Sequence, residues 1–172
     1  MKKKKKTIEQ KTIEKIQHFN YEKYWRMRDY LQSLKGKKTL KAIIYMIKVK
    51  RMEAFSNSSS GISFGSNSAI FESHPRLPHG LCGIFITPGA HIGKNVRICQ
   101  QVTIGNDFKD VNNCPNIGDD VEIYPGAKII GKINIGKGAK IGANAVVNFD
   151  VPEGAVVVVE KPRVLTSSKK EI

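Results

Sequence analysis

The chain has 172 residues and a formal net charge of +14, and residues 1–54 alone carry 17 Lys/Arg against 5 Asp/Glu. A hydrophobic fraction of 40% can bury a core, which excludes a wholly disordered chain, and few aromatic residues argue against a stacking surface for single-stranded nucleic acid. Cys82, Cys99 and Cys114 fit neither a disulfide framework nor a paired metal motif, so we expect no metal and a reducing, cytoplasmic location.

Residues 1–56 are predicted to form a basic helical arm. Good helix formers predict one helix over 7–35 and a second helix from an N-cap at Thr39 to about Ala54. The second helix has an apolar face at Leu40, Ile43, Ile44 and Ile47. We expect this face to pack against the rest of the molecule.

The lysine run at 2–6 leaves three interpretations open: a solvated terminus, attraction to anionic lipid, or nucleic-acid binding. Because no nucleic-acid motif accompanies the charge, we expect no nucleic-acid partner. Peripheral contact with the inner surface of a membrane stays possible through the arm. No apolar run reaches the roughly 18 residues that a membrane span needs.

A six-residue repeat dominates the remainder of the chain. Aliphatic residues fall at Ile86, Ile92, Ile98, Ile104, Ile117, Ile123, Ile129, Ile135, Ile141 and Val147, and each step is six except one of thirteen. Smaller residues follow four positions later, and glycines follow the aliphatic residues at 93, 105, 118, 136 and 142. Period six suits short strands joined by tight corners, three strands to a coil of about eighteen residues. The glycines are expected to supply positive φ at the corners.

The spacing therefore predicts a mainly β fold, a parallel β-solenoid over residues 57–165, with an aliphatic interior. The longer step predicts a loop over 105–116. Residues 150–165 are expected to form a last strand leaving the solenoid, and 166–172 a polar tail.

The repeats resemble those of the hexapeptide-repeat acyltransferases, whose fold is a left-handed parallel β-helix. The stretches "LPHG" at 77–80, "QVTIG" at 101–105, "PNIGDDVEI" at 115–123 and "GAKIIGKINIGKGAKIGANAVV" at 126–147 are most similar to serine acetyltransferases and to surface-polysaccharide O-acetyltransferases. The resemblance implies an enzyme that uses acetyl-CoA as co-substrate and works as a homotrimer with sites in clefts between subunits.

Acetyl transfer to a hydroxyl needs a base, and histidine is the usual one. His18 lies in the basic arm, His91 is expected to decorate the surface, and the role of His74 stays open. The resemblance identifies His79, before the first regular coil, as the catalytic base.

The resemblance also assigns binding positions. Coenzyme A would lie along Gly105, Asn106, Pro125 and Ala143, with Lys140 or Lys137 at a phosphate, and Gln101, Asp107 and Cys114 would contact the acceptor. Pro125 offers no N–H where the serine enzymes have alanine.

Two departures from the serine enzymes bear on the acceptor. Pro78 replaces their aspartate before the histidine, and Cys114 replaces a loop histidine. A backbone carbonyl, Asp107 or Asp110 could orient His79 instead. The first hypothesis is therefore O-acetylation of a sugar in a cell-surface polysaccharide or its precursor; the alternatives are O-acetylation of L-serine and a non-catalytic binding β-helix.

Overall fold

The computed structural model describes residues 19–35, 37–63, 67–161 and 163. Within them two helices, α1 (Tyr21–Ser33) and α2 (Leu40–Phe55), precede a series of short strands. The strands are β1 (Ser59–Ser60), β2 (Ile70–Phe71), β3 (Phe85–Ile86), β4 (His91–Ile92), β5 (Arg97–Ile98), β6 (Thr103–Gly105), β7 (Asn116–Ile117), β8 (Glu122–Ile123), β9 (Lys128–Ile130), β10 (Asn134–Ile135), β11 (Lys140–Ile141), β12 (Val146–Val147) and β13 (Val156–Val157).

The helix boundaries follow their capping residues. The Asn20 side chain accepts a hydrogen bond from the Lys23 N–H, and the Thr39 hydroxyl accepts one from the Ala42 N–H, so α2 begins where the sequence predicts. Residues 7–18 of the predicted first helix lie outside the described residues, as does the polar tail at 166–172.

The strands form three parallel sheets that make a β-helix of about four turns, as predicted. Sheet 1 has the order β1-β3-β6-β9-β12, sheet 2 has β2-β4-β7-β10, and sheet 3 has β5-β8-β11-β13. Ile86 pairs with Ile104, one eighteen-residue coil later, whereas Ile104 pairs with Ile129 because the loop adds seven residues. The left-handed sense stays an expectation from the resemblance.

The interior is the predicted aliphatic ladder. Every position of the six-residue series from Ile86 to Val147 is buried, and so are the smaller residues four positions later. Such stacking of β-branched side chains gives each coil a hydrophobic interior that its neighbours cover.

The repeat glycines serve a different purpose from the predicted one. None of the five has positive φ; positive φ at the corners is instead found at residues such as Asn95, Gln101, Asp120 and Asn144, and at other glycines. A Cβ on Gly142 would lie 2.7 Å from the Val157 oxygen, and one on Gly118 would lie 2.9 Å from the Ile135 oxygen. At Gly93, Gly118, Gly136 and Gly142 the backbone of the next coil passes too close for a side chain, whereas a Cβ on Gly105 would meet only side-chain atoms, the nearest being the end of the Ile130 side chain.

The helices cover the first coil of the β-helix through a second core. This core contains Phe19, Tyr24, Trp25, Met27, Leu31, Ala42, Met46, Val49, Ile62 and Leu81. Arg28 is fully buried and donates hydrogen bonds to the carbonyl oxygens of Ser60 (3.1 Å) and Ala69 (2.8 Å). The buried Glu53 accepts from the Tyr24 hydroxyl and from Ser60, so charged groups join the arm to the body.

Two expectations about elements are wrong. The predicted apolar face of α2 is exposed, and the helix packs through Ala42, Met46, Val49 and Glu53 on its opposite side. The last strand does not leave the β-helix: β13 pairs in parallel with β11 and is the final strand of sheet 3.

Candidate active site

His79 lies in an irregular turn between the helical arm and the first regular coil. The turn is fixed by Leu81, which is buried in the second core, and by Gly80, whose positive φ of 64° is a conformation that glycine adopts readily. The His79 side chain is exposed and lines a pocket of about 510 Å³. The other lining residues are Phe19, Phe55, Ser56, Pro78, Gly80, Leu81, Cys82 and Gln100.

The imidazole rings of the other two described histidines already contact polar side chains. His74 lies 2.9 Å from an Asp29 carboxylate oxygen and stacks on Trp25. His91 contacts the Asn116 side-chain oxygen at 2.8 Å through Nδ1 and Glu72 at 3.1 Å through Nε2. His79 contacts no hydrogen-bonding partner among the residues that the structure describes, so both of its nitrogens are available to a ligand. His18 lies outside the described residues.

Neither carboxylate suggested to orient His79 reaches it within the described chain. Asp107 accepts hydrogen bonds from the N–H groups of Lys109 and Asp110 and from the Asn113 side chain. Asp110 accepts from the N–H and the side chain of Asn112. Both carboxylates therefore stabilise the conformation of the loop through hydrogen bonds within it.

The electrostatics of the loop agree with this structural role. Desolvation opposes ionisation of Asp107, but the hydrogen bonds from Lys109, Asp110 and Asn113 outweigh it and lower the pKa of Asp107. Burial, and then the charges of Asp110 and Asp107, raise the pKa of the Cys114 thiol. The Cys114 sulfur lies 3.2 Å from the carbonyl oxygens of both Pro88 and Val111, and its single S–H donates to one of them or is shared between the two.

Several predicted binding residues lie along one corner of the β-helix, where sheet 3 passes into sheet 1. The Gln101 N–H donates to the Cys82 oxygen (2.9 Å), and the Asn144 N–H donates to the Pro125 oxygen (2.9 Å). Between these two bonds the Gly126 N–H donates to the Gln100 oxygen (3.0 Å). This corner column, from Cys82 through Gln101 and Pro125 to Ala143, begins at the His79 pocket.

The corner column fits part of a coenzyme A binding site. Lys140 projects from β11 shortly before this corner, is exposed, and forms no ion pair within the described residues, so its ammonium could meet a phosphate. The Ala143 N–H donates to no group among those residues and could meet a carbonyl, whereas Pro125 has no N–H to offer.

The remaining predicted residues lie at the other end of sheet 1. Gly105 ends β6, and Asn106, Asp107 and Cys114 follow in the loop that leads to sheet 2. Gln101 thus lies in the corner before β6, whereas Gly105 is the last residue of β6. The structure brings His79 close to the corner column but leaves the loop residues on the far edge of sheet 1.

Sequence reasoning missed several residues of the pocket. Gln100 lines it where Gln101 was predicted, and the Gln100 side-chain oxygen is buried without a hydrogen-bond partner in the described chain. Phe55 and Ser56 arrive from the end of α2, and nothing in the sequence places that helix end beside His79. Within the described ranges, no group of three or more His, Cys, Asp and Glu side chains could hold a metal ion.

Comparison with known proteins gives the same assignment for the repeats. Residues 115–148 match the family described as bacterial transferase hexapeptide (six repeats). The resemblance to hexapeptide transferases is confirmed. The serine acetyltransferase of Bacillus licheniformis is 43% identical over 97 residues, which are 56% of this chain and 44% of that protein. The serine acetyltransferase of Helicobacter pylori is 38% identical over 95 residues, 54% of each chain.

Solved structures agree over a larger part of the chain. The serine acetyltransferase of Neisseria gonorrhoeae in complex with serine is 30% identical, with a TM-score of 0.63, and the match covers 81% of this chain and 55% of that one. Soybean serine acetyltransferase complexed with serine is 29% identical, with a TM-score of 0.65, covering 83% and 56%. The chain thus spans about half the length of the relatives it matches.

Proposed function

We propose that this protein is an acetyl-CoA-dependent O-acetyltransferase with His79 as its general base. The observation that carries the proposal is an exposed histidine with no partner among the described residues, lining a pocket at the head of the corner column. The hexapeptide-transferase match over 115–148 and the similarity to serine acetyltransferases support the same class of reaction.

In the proposed reaction, a His79 nitrogen accepts the proton of the acceptor hydroxyl while the hydroxyl oxygen bonds to the acetyl carbonyl carbon. The carbon–sulfur bond of the thioester breaks, and His79 returns the proton to the sulfur of coenzyme A. Lys140 and the Ala143 N–H would hold the cofactor along the corner column. The products are the acetyl ester and free thiol, with no net change in protons.

L-Serine is the acceptor that the relatives favour. The curated relatives described above are named serine acetyltransferases, and two of the solved structures contain serine. In this chain Gln100 lines the pocket, and its buried side-chain oxygen has no donor among the described residues; a rotation of this side chain toward the pocket would let an ammonium or a hydroxyl of the acceptor supply one.

A sugar hydroxyl is the second candidate, and one observation favours it. None of the described residues that line the His79 pocket is a carboxylate, and Pro78 lies beside the base. An amino-acid acceptor carries an ammonium that is best bound by a carboxylate, whereas a sugar hydroxyl needs none. A surface-polysaccharide precursor therefore stays a proposed acceptor.

The separation of the predicted residues supports a homotrimer. In one chain, the corner column and the loop at 105–116 occupy opposite edges of sheet 1. A threefold arrangement would bring the corner of one chain against the loop of its neighbour and complete the site between subunits. The loop carries Phe108 and Val111, both largely exposed, which such a contact would cover.

The acceptor is tested by measuring thiol release from acetyl-CoA by the purified protein. L-Serine, nucleotide sugars and lipid-linked oligosaccharides are compared with a reaction that lacks an acceptor. Release stimulated by serine identifies the amino acid as the acceptor, and release stimulated only by a sugar identifies the glycan. No acceptor-dependent release with any of them, despite bound acetyl-CoA, would contradict the proposed activity and favour a non-catalytic binding protein.

A further inference from the structure

The outer face of α2 is apolar although its side chains are exposed in the described chain. Leu40 is 76% exposed, Ile47 54%, Ile43 43% and Ile44 42%. At 100° per residue these side chains form one stripe over the first two turns of α2, opposite the buried Ala42, Met46, Val49 and Glu53. Helix propensity does not require branched aliphatic residues at exposed positions, because lysine or glutamine would serve better there.

Cations flank this apolar stripe, and residues 37–55 contribute no exposed carboxylate beside them. Residues 37–55 contain Lys37, Lys38, Lys41, Lys48, Lys50 and Arg51. Their one carboxylate, Glu53, is buried, bonded to Tyr24 and Ser60, and paired with Lys50. Lys48 and Arg51 form no ion pair among the described residues. The exposed part of the helix is therefore both apolar and uniformly positive.

We infer that the outer face of α2 binds the surface of a lipid bilayer that contains anionic lipid. Apolar side chains flanked by lysine and arginine are the pattern of helices that lie in a membrane interface, where the aliphatic groups enter the acyl boundary and the cations meet phosphate headgroups. No helix in the described part of the chain is long and apolar enough to span a bilayer. A helix that lies in the interface through one face makes a peripheral contact.

A second copy of this chain fits the same surface less well. Self-association through α2 would bring the cations of two helices together, and like charges that face each other across an interface oppose binding. The four exposed side chains also occupy only two turns of one helix, a smaller surface than the roughly 1,200 Å² that a stable protein interface buries.

The inferred orientation would bring the His79 pocket close to the membrane. Phe55 ends α2, is 58% exposed, and lines that pocket together with His79. If α2 lies on the bilayer through its outer face, its last residue places the pocket next to the lipid headgroups. The inference concerns binding alone and does not rest on the proposed acetyl transfer.

The test is co-sedimentation of the full-length protein with vesicles. Vesicles of phosphatidylcholine alone are compared with vesicles of phosphatidylcholine and phosphatidylglycerol in equal parts. We expect binding to the anionic vesicles that weakens as salt is raised, because exposed charges are screened. Ile43→Gln/Ile47→Gln should lower the partition coefficient at least tenfold, and Lys48→Gln/Arg51→Gln should lower both the affinity and its salt dependence.

A matched control separates this face from general hydrophobicity. Val158→Gln/Val159→Gln makes the same kind of change at two exposed aliphatic residues outside α2 and should leave vesicle binding unchanged. Circular dichroism should report unchanged helix content for all three double variants. The inference is overturned if wild-type protein ignores anionic vesicles, or if it binds them equally well with both α2 pairs replaced. It is also overturned if the Ile43→Gln/Ile47→Gln change lowers the oligomeric mass without affecting vesicle binding.

Discussion

Among individual residues, those of the buried polar cluster between the arm and the β-helix are the hardest to predict from the sequence. Arg28 is one of many cations in a basic segment, yet it is fully buried and bonded to two backbone carbonyls of the first coil. Charge counting cannot separate it from its solvated neighbours, because burial depends on the position of the first coil over α1.

Replacing Arg28 with methionine keeps much of the side-chain volume but removes the donors to the oxygens of Ser60 and Ala69. Leaving these buried acceptors without their charged donor should lower the free energy of unfolding by about 3–5 kcal/mol. Arg26→Met, at an exposed position of the same helix, should change it by less than about 0.5 kcal/mol. Equal effects in denaturant titration would show that the cluster contributes nothing specific.

Tyr21 makes stability depend on pH in the alkaline range. Burial, and then the charge of Asp29, raise the pKa of Tyr21 to about 12, and its hydroxyl donates to the Pro75 oxygen at 2.8 Å. The folded state thus prefers the neutral phenol. The contribution is fully present below about pH 10, where the unfolded phenol begins to ionise, and is lost as the pH rises toward 12.

Tyr21→Phe should therefore be less stable than the wild type at neutral pH, by about 0.5–1.5 kcal/mol for the lost hydrogen bond. The difference between the two proteins should shrink as the pH is raised above 10. Urea denaturation of both proteins at several pH values measures it. A difference that stayed constant or grew with pH would contradict the assignment.

At the scale of elements, the β-helix is the part of the fold that the sequence predicts best. The six-residue period is imposed by the geometry of the coil itself, so Ile104, Ile129 and their equivalents can be identified without knowledge of other contacts. The corner conformations are less visible, because Gln101 and Asn144 adopt positive φ where glycine was expected.

Helix α2 shows why a helical face can be assigned to the wrong side. Two apolar stripes share its surface, and the larger side chains, including Ile43 and Ile47, are on the exposed one. The buried stripe includes Glu53, a charged residue that a hydrophobicity pattern would assign to the exposed side. Its burial is compensated by hydrogen bonds from Tyr24 and Ser60, which belong to other elements and cannot be inferred from the helix sequence alone. The buried face is therefore defined by contacts with other elements, both the apolar packing of the second core and these hydrogen bonds.

The interior ladder should tolerate little loss of volume. Ile123→Ala removes a fully buried side chain of sheet 3 that lies between Ile98 and Ile141, and should cost about 2–5 kcal/mol in the free energy of unfolding. Val146→Ala on β12, a position that is 64% exposed, should cost far less. Comparable losses in the two variants would mean that the ladder does not carry the stability of the solenoid.

At the scale of the whole molecule, the candidate site is only partly predictable from the sequence. His79 was identifiable from a short motif, but the sequence could not show that its pocket would include Phe55 and Gln100. Those residues meet His79 because the arm folds over the first coil. The loop residues assigned to the same site, Asp107 among them, lie on the far edge of sheet 1.

A shared site requires a stable oligomer. Sedimentation equilibrium should give three times the chain mass of 19.2 kDa at the concentrations used for activity. A protein that stays monomeric while retaining full activity would contradict the proposed cleft between subunits, and the loop would then need another role.

The role of His79 as general base is tested most directly by thiol release from acetyl-CoA by His79→Asn, measured against His91→Asn. The two variants make the same exchange, but His91 is bonded to Asn116 and Glu72 outside the pocket, whereas His79 lines it. With the best acceptor, His79→Asn should lower kcat by about 10²–10⁴-fold, the usual contribution of a general base, and His91→Asn should leave it nearly unchanged. Unimpaired turnover by a folded, oligomeric His79→Asn protein would show that His79 is not the general base.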